Sequence, residues 1–314
     1  MKNFFIGLMS GIALLTFGFL AGPVVSWAKA SKTKVVSRLP ERLLCEEKPG
    51  RVSLLSDRGR VEWTFPVKGA VLDAQSQPSG DWLVTGGDEK VFLLHHTMGK
   101  RPWVSAWDWK ALDIAPPVSA VAVDWDLDGK PTLVLAADAV KNRIFLAEAK
   151  GGQPKIRWTF PLGQAPRSVR VCPDSGNFLV TLDSQVEEVD FRQEKVIWTV
   201  KVPQATDAAR SPDSNTYVID AQGRVSAYDP DQNLIWRTDL DPRAKDWKNT
   251  TLSLFQVREE IRILASGTGQ TRQGRQGWTW VLDSNNGKIL ASDETAPNVV
   301  RVVPGLDKTS FAEK

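Results

Sequence analysis

One short pattern recurs along this chain and restricts its fold more than any other feature. It is a tryptophan preceded by a polar residue and a pair that is usually aliphatic. The copies are Arg60-Val-Glu-Trp63-Thr-Phe-Pro, Lys155-Ile-Arg-Trp158-Thr-Phe-Pro, Lys195-Val-Ile-Trp198-Thr-Val and Asn233-Leu-Ile-Trp236-Arg-Thr. Arg101-Pro-Trp103-Val-Ser and Gly287-Lys-Ile-Leu290-Ala-Ser are looser copies. The anchors at 63, 103, 158, 198, 236 and 290 stand 40, 55, 40, 38 and 54 residues apart. Repeats of about 45 residues match one four-stranded sheet in a radial array.

The interior of each unit supports that reading. In the fifth unit, Thr206 to Arg210, Thr216 to Asp220, Arg224 to Tyr228 and Leu234 to Thr238 are short β-rich runs. They are separated by the turn formers Ser211-Pro-Asp-Ser-Asn215, Gln222-Gly223 and Asp229-Pro-Asp-Gln-Asn233. No sustained helical period follows residue 31. The chain is therefore expected to be an all-β, six-bladed β-propeller, with seven blades as the alternative. The strands Arg42 to Cys45, Arg51 to Ser56 and Val61 to Phe65 leave the first blade one strand short, and Asn298 to Val303 is spare. The C-terminal strand is expected to complete the first blade and close the ring.

The N-terminus reads as an export signal. Lys2 is the only charge before Lys29, an apolar run lies between them, and Ala28-Lys29-Ala30 forms an A-x-A cleavage pattern. The expected organisation is a signal peptide over 1–30, a short linker over 31–40 and one propeller domain over 41–314. An uncleaved anchor is the alternative. No membrane span is expected after signal removal, and the protein is expected in the periplasm or the medium.

Composition narrows the function. Loss of Lys2 and Lys29 lowers the formal charge from +3 to +1, which argues against nucleic acid as a partner. With 2 His and 2 Cys, multi-histidine metal centres and four-cysteine sites are excluded within one chain. His95 and His96 are adjacent on a strand end and point to opposite faces. Cys45 and Cys172 fall in blades one and four, too far apart to pair, and are expected as buried free thiols.

The units resemble the quinoprotein-like propeller family of PQQ-like repeats. Ala227-Tyr-Asp-Pro-Asp-Gln-Asn-Leu-Ile-Trp236 and Val281-Leu-Asp-Ser-Asn-Asn-Gly-Lys-Ile-Leu290 carry the family pattern: a strand ending in Asp, a turn, then a short strand with Trp. The resemblance spans roughly residues 40 to 303. It implies that Trp63, Trp103, Trp158, Trp198 and Trp236 dock against the neighbouring blade. The family includes pyrroloquinoline quinone dehydrogenases and cofactor-free scaffolds. The dehydrogenases carry vicinal cysteines and are longer, so the resemblance does not bring the quinone with it.

Four site candidates remain. Asp124-Trp-Asp-Leu-Asp-Gly-Lys-Pro-Thr132 resembles a calcium loop, with Asp124, Asp126, Asp128 and Thr132 as ligands, and is otherwise an acidic turn between strands. Asp241-Pro-Arg-Ala-Lys-Asp-Trp247 and the Gly- and Gln-rich stretch 267–277, read as a long flexible loop, offer Trp247, Arg272 and Arg275 to a partner. Trp107, Trp109, Trp278 and Trp280 are read as blade packing, with an exposed aromatic patch as the alternative. The charged inner-strand residues Asp73, Asp124, Arg170, Asp207 and Arg210 are expected around a central channel, with Arg170 facing Asp207. The favoured function is a non-enzymatic scaffold of the cell envelope that presents a rim or channel mouth to a protein partner. The alternatives are a quinoprotein-like oxidoreductase or other enzyme using channel carboxylates, and a calcium-dependent glycan binder.

Overall fold

The computed structural model describes residues 39–77, 81–87, 90–95, 103–108, 118–125, 131–148, 154–241 and 243–305; the side chains of 95, 103–108, 125 and 131 are not among those described. Among the described residues every regular element is a strand, and the 24 strands pair antiparallel into six four-stranded sheets. Blade one holds β1 (Arg42–Glu46), β2 (Arg51–Leu55) and β3 (Val61–Pro66), and blade two β4 (Val71–Ser76), β5 (Trp82–Gly86), β6 (Lys90–His95) and β7 (Trp103–Asp108). Blade three holds β8 (Ser119–Trp125), β9 (Pro131–Asp138), β10 (Arg143–Glu148) and β11 (Lys155–Pro161). Blade four holds β12 (Pro166–Val171), β13 (Phe178–Leu182), β14 (Gln185–Asp190) and β15 (Lys195–Lys201). Blade five holds β16 (Ala205–Arg210), β17 (Thr216–Asp220), β18 (Arg224–Tyr228) and β19 (Leu234–Asp239). Blade six holds β20 (Lys245–Val257), β21 (Glu260–Thr271), β22 (Gly274–Asp283) and β23 (Ile289–Thr295). The last strand, β24 (Val299–Pro304), pairs with β1 and is the innermost strand of blade one. The protein is a six-bladed propeller closed as expected, with β24, β4, β8, β12, β16 and β20 in successive contact around the axis.

The repeated tryptophan has a local mechanical cause. In blades one, three, four and five the ladder between the third and outermost strands slips by one residue next to the tryptophan, leaving Glu62, Arg157, Ile197 and Ile235 unpaired. A bulge bends and twists its strand and re-aims the side chain beside it. Trp63 then meets Trp82 of the next blade edge to face at 6.0 Å, and Trp158 meets Phe178 at 5.8 Å. Trp158 Nε1 donates to Glu194 Oε1, Trp198 Nε1 to the Pro230 carbonyl and Trp236 Nε1 to the Ser284 carbonyl, at 3.3, 2.9 and 2.9 Å. Each acceptor lies in the outer turn of the following blade. That turn is shaped by an aspartate at the end of the third strand or just after it: Asp190, Asp229 and Asp283 accept from backbone N–H groups two to four residues on. The side chain of Trp103 lies outside the described residues.

Blade six departs from the pattern. Its register slip leaves Leu290 unpaired, so Ala291, not Leu290, occupies the tryptophan slot. Lys288-Ile-Leu-Ala291 thus aligns with Lys195-Val-Ile-Trp198 of blade four. Leu39, Leu290 and Ala291 pack that seam against Val299 and Val302 of the closing strand.

The stretch 267–277 is not a loop. It forms the ends of β21 and β22, joined by a tight turn, in a hairpin that carries blade six beyond its neighbours. Two of its glycines, Gly267 and Gly269, are set by Trp247, which lies in the first of two register breaks on β20 and packs on Trp278 and Trp280 at 5.6 and 5.5 Å. A Cβ on Gly223 would stand 2.6 Å from the Trp247 ring, and one on Gly267 3.2 Å from it. Glycine here makes room for an indole, a cause that composition alone reads as loop.

Candidate functional site

The inner strands start at one face of the ring, and in four of them the third residue reaches the axis. Arg301 on β24, Asp73 on β4, Ser168 on β12 and Asp207 on β16 are each the third residue of their strand. In β4, β12 and β16 a bulge immediately precedes that position. Arg170, two residues further along β12, completes the group. Arg301 Nη1 lies 3.0 Å from Asp73 and 2.8 Å from Asp207. Arg170 holds Asp207 through two contacts of 2.9 and 3.0 Å and reaches Asp73 at 3.4 Å. The four charges form a closed square, linking blades one, two, four and five across the axis.

The square is buried and its carboxylates are saturated. The side chains of Asp73, Asp207 and Arg301 are 4%, 1% and 4% exposed, and that of Arg170 12%. Ser119 Oγ donates to Asp73 at 2.5 Å, and the Leu252 N–H donates to Asp207 at 2.9 Å. Burial pushes the Asp207 carboxyl up, but Arg170 and Arg301 outweigh it and hold the group below the usual carboxylate range. Arg170 faces Asp207 as the sequence suggested. Ser119 and Arg301 were not singled out, and aligning the inner strands Val71-Leu-Asp73, Ala205-Thr-Asp207 and Val299-Val-Arg301 would have exposed the shared position.

Above the square, on the face where the inner strands begin, lies a cavity of about 510 Å³. Five of the inner strands line it, together with Val118 just ahead of β8, and Asp73 and Arg301 are among the lining residues. Leu72, Val118 and Pro166 give it an apolar side, and Thr206, Asn249 and Thr251 a polar one.

The other inner-strand candidates stand elsewhere. Arg210 lies between blades four and five, paired with Glu188 and 3.3 Å from Asp174, with its guanidinium over Trp198. Asp124, at the far end of β8, is exposed and accepts from Thr132 Oγ1 at 3.1 Å. Asp126 and Asp128 lie outside the described residues, as do His96, Trp109 and the side chains of His95 and Trp107. Among the described residues, no three His, Cys, Asp or Glu side chains are placed to hold a metal ion. Trp247, Trp278 and Trp280 are 7%, 8% and 4% exposed, so they form no exposed aromatic patch. Arg272 is exposed at the tip of the blade-six hairpin, and Arg275 is half-buried with its Nη1 3.4 Å from the Asp246 carbonyl. Cys45 and Cys172 are free and buried, and burial pushes both thiols well up.

No protein-family model and no curated protein matches the chain. Solved structures do. A protein of unknown function from Bacteroides caccae matches at 15% identity with a TM-score of 0.56, over 85% of this chain and 100% of that one. A functionally unknown protein from Desulfotomaculum acetoxidans matches at 12% identity with a TM-score of 0.56, over the same shares. BamB from Moraxella catarrhalis matches at 13% identity with a TM-score of 0.46, over 82% of this chain and 86% of that one. At such identities the likeness is one of fold. No helix among the described residues is long and apolar enough to cross a membrane.

Proposed function

We propose that this chain is an exported, non-enzymatic propeller of the cell envelope, periplasmic or secreted, that binds a protein partner at the channel mouth or rim. The observation that carries the reading is the axial square. Each carboxylate on the axis already receives two arginines and further hydrogen bonds, an arrangement that fastens blades together and leaves neither acid placed to exchange a proton with a substrate. The apolar N-terminal run ending in Ala28-Lys29-Ala30 supports export. The quinone fits poorly: the vicinal cysteines of the resembled dehydrogenases have no counterpart, since Cys45 is in blade one and Cys172 begins the turn after β12 in blade four. In-cell amine crosslinking of the tagged full-length protein, followed by mass spectrometry, tests the reading; it requires one dominant envelope partner, and reproducible absence of any partner would sink it.

The calcium reading of Asp124, Asp126, Asp128 and Thr132 requires a melting temperature that rises with calcium chloride after EGTA treatment and no longer does so in Asp124→Asn.

A further inference from the structure

The mouth cavity is more than the hollow left by six converging strands, because four of those strands break register around it. The slips in β4, β12 and β16 fall at Leu72, Arg167 and Thr206, and β20 slips between Lys248 and Thr251. Leu72, Arg167, Thr206 and Asn249 all line the cavity, and Asn249 takes a left-handed φ of 53°. Bulges set where a side chain points, and four of them here place side chains on one wall that regular alternation would send elsewhere.

The wall has a definite chemistry. On one side Leu72 is 40% exposed, an aliphatic side chain held open to solvent on an innermost strand. On the other side are hydroxyl and amide groups. The charges cancel locally: Asp73 with Arg301 at 3.0 Å, and Arg167 with Asp183 at 2.8 Å, with Glu47 left over. Glu47 is exposed, so solvent screens its charge; an ion entering such a site gives up hydration and meets no buried counter-charge that is free, so the cavity favours an uncharged occupant. Beneath it, Arg301 Nε is buried with no hydrogen-bond partner among the described residues, a donor that lacks an acceptor. The volume falls within the range of about 300–1,000 Å³ usual for binding sites.

We propose that this cavity seats an uncharged loop of a protein partner, an aliphatic side chain against Leu72 and Val118 and its backbone polar groups toward Thr206, Asn249 and Thr251. The inference rests on the partner-binding reading above and assigns it a seat and a chemistry. The test places the photocrosslinker p-benzoylphenylalanine at position 72 of the tagged full-length protein in its native host, with position 272 on the blade-six hairpin as comparison. The expected result is a crosslink from position 72 to one partner, mapped by mass spectrometry to a segment without charged residues. A synthetic peptide of that segment should bind the purified protein at least tenfold more weakly when Leu72→Glu or Thr206→Arg is introduced. Leu72 is exposed enough for its variant to fold, which an unchanged melting curve checks, so the test stands even if Thr206→Arg does not. A crosslinked segment rich in charge, or a peptide indifferent to both variants, overturns the proposal. Protein capture from position 272 but not 72 overturns the seat and leaves partner binding standing; capture from neither position, with amine crosslinking also silent, removes both.

Discussion

Asp207 shows how a buried charge becomes structural. It receives Arg170, Arg301 and the Leu252 N–H, and its side chain is 1% exposed. Asp207→Asn leaves two buried arginines short of a counter-charge, and breaking such a group costs about 3–5 kcal/mol; a shifted denaturant midpoint measures it. The folded carboxyl is held below its ordinary range, so its stabilisation is full above the unfolded value near pH ~4 and is lost as pH falls through the lower folded value. Acid titration of stability should therefore show a slope below pH ~4 in the wild type that Asp207→Asn reduces. Gly223 is a second informative residue. It has φ +71°, and an added Cβ would press on the Trp247 ring. Gly223→Ala should destabilise by about 1–3 kcal/mol through strain and overpacking, and Trp247→Phe in the same background should relieve part of that loss. The thiols of Cys45 and Cys172 are both buried, so a thiol reagent should label neither in the native protein and both in guanidinium.

At the scale of the element, the closing strand matters most. β24 pairs with β1 from Arg42↔Pro304 to Glu46↔Val299 and brings Arg301 to the axis. Ending the chain before Val299 removes a strand and half the cations of the square together. It exposes the edge of β1, and unpaired edges invite association. The truncated protein should elute as aggregates in size-exclusion chromatography, while Arg301→Gln, which keeps the strand, should remain monomeric but melt earlier. The blade-six hairpin is legible only after folding. Gly267, Gly269 and Gly274 read as loop formers in the sequence, yet two of them lie under an indole and only Gly274 takes a positive φ for the turn.

At the scale of the molecule, one face differs from the other in kind. The face where the inner strands begin carries the cavity and the extended blade-six hairpin, and the opposite face gathers the outer turns that receive the tryptophans. Packing between blades runs all the way round, with a separate cluster at each of the six seams. A ring joined in this way should unfold in one transition that coincides for tryptophan fluorescence and far-ultraviolet circular dichroism. Two separated transitions would show that the blades do not act as one cooperative unit.

The spacing of Trp63, Trp158, Trp198 and Trp236, with aspartate-led turns ahead of two of them, determined the blade count, the strand order and the closure by the C-terminal strand. Those are local and periodic matters, and local periodicity is what a sequence displays directly. The pairing of Arg170 with Asp207 was also within reach, since the inner strands of consecutive repeats must lie side by side. The tertiary structure alone decided the rest. Arg301 joins Asp207 from 94 residues away because ring closure brings the chain ends together. Trp247 is buried because Gly223, in another blade, makes room for it. Arg210, read as a channel residue, turns to Glu188 because its place on β16 lies between blades and away from the axis. Each of these depends on which repeats become neighbours and on where a bulge re-aims a side chain, and neither is encoded within a single repeat.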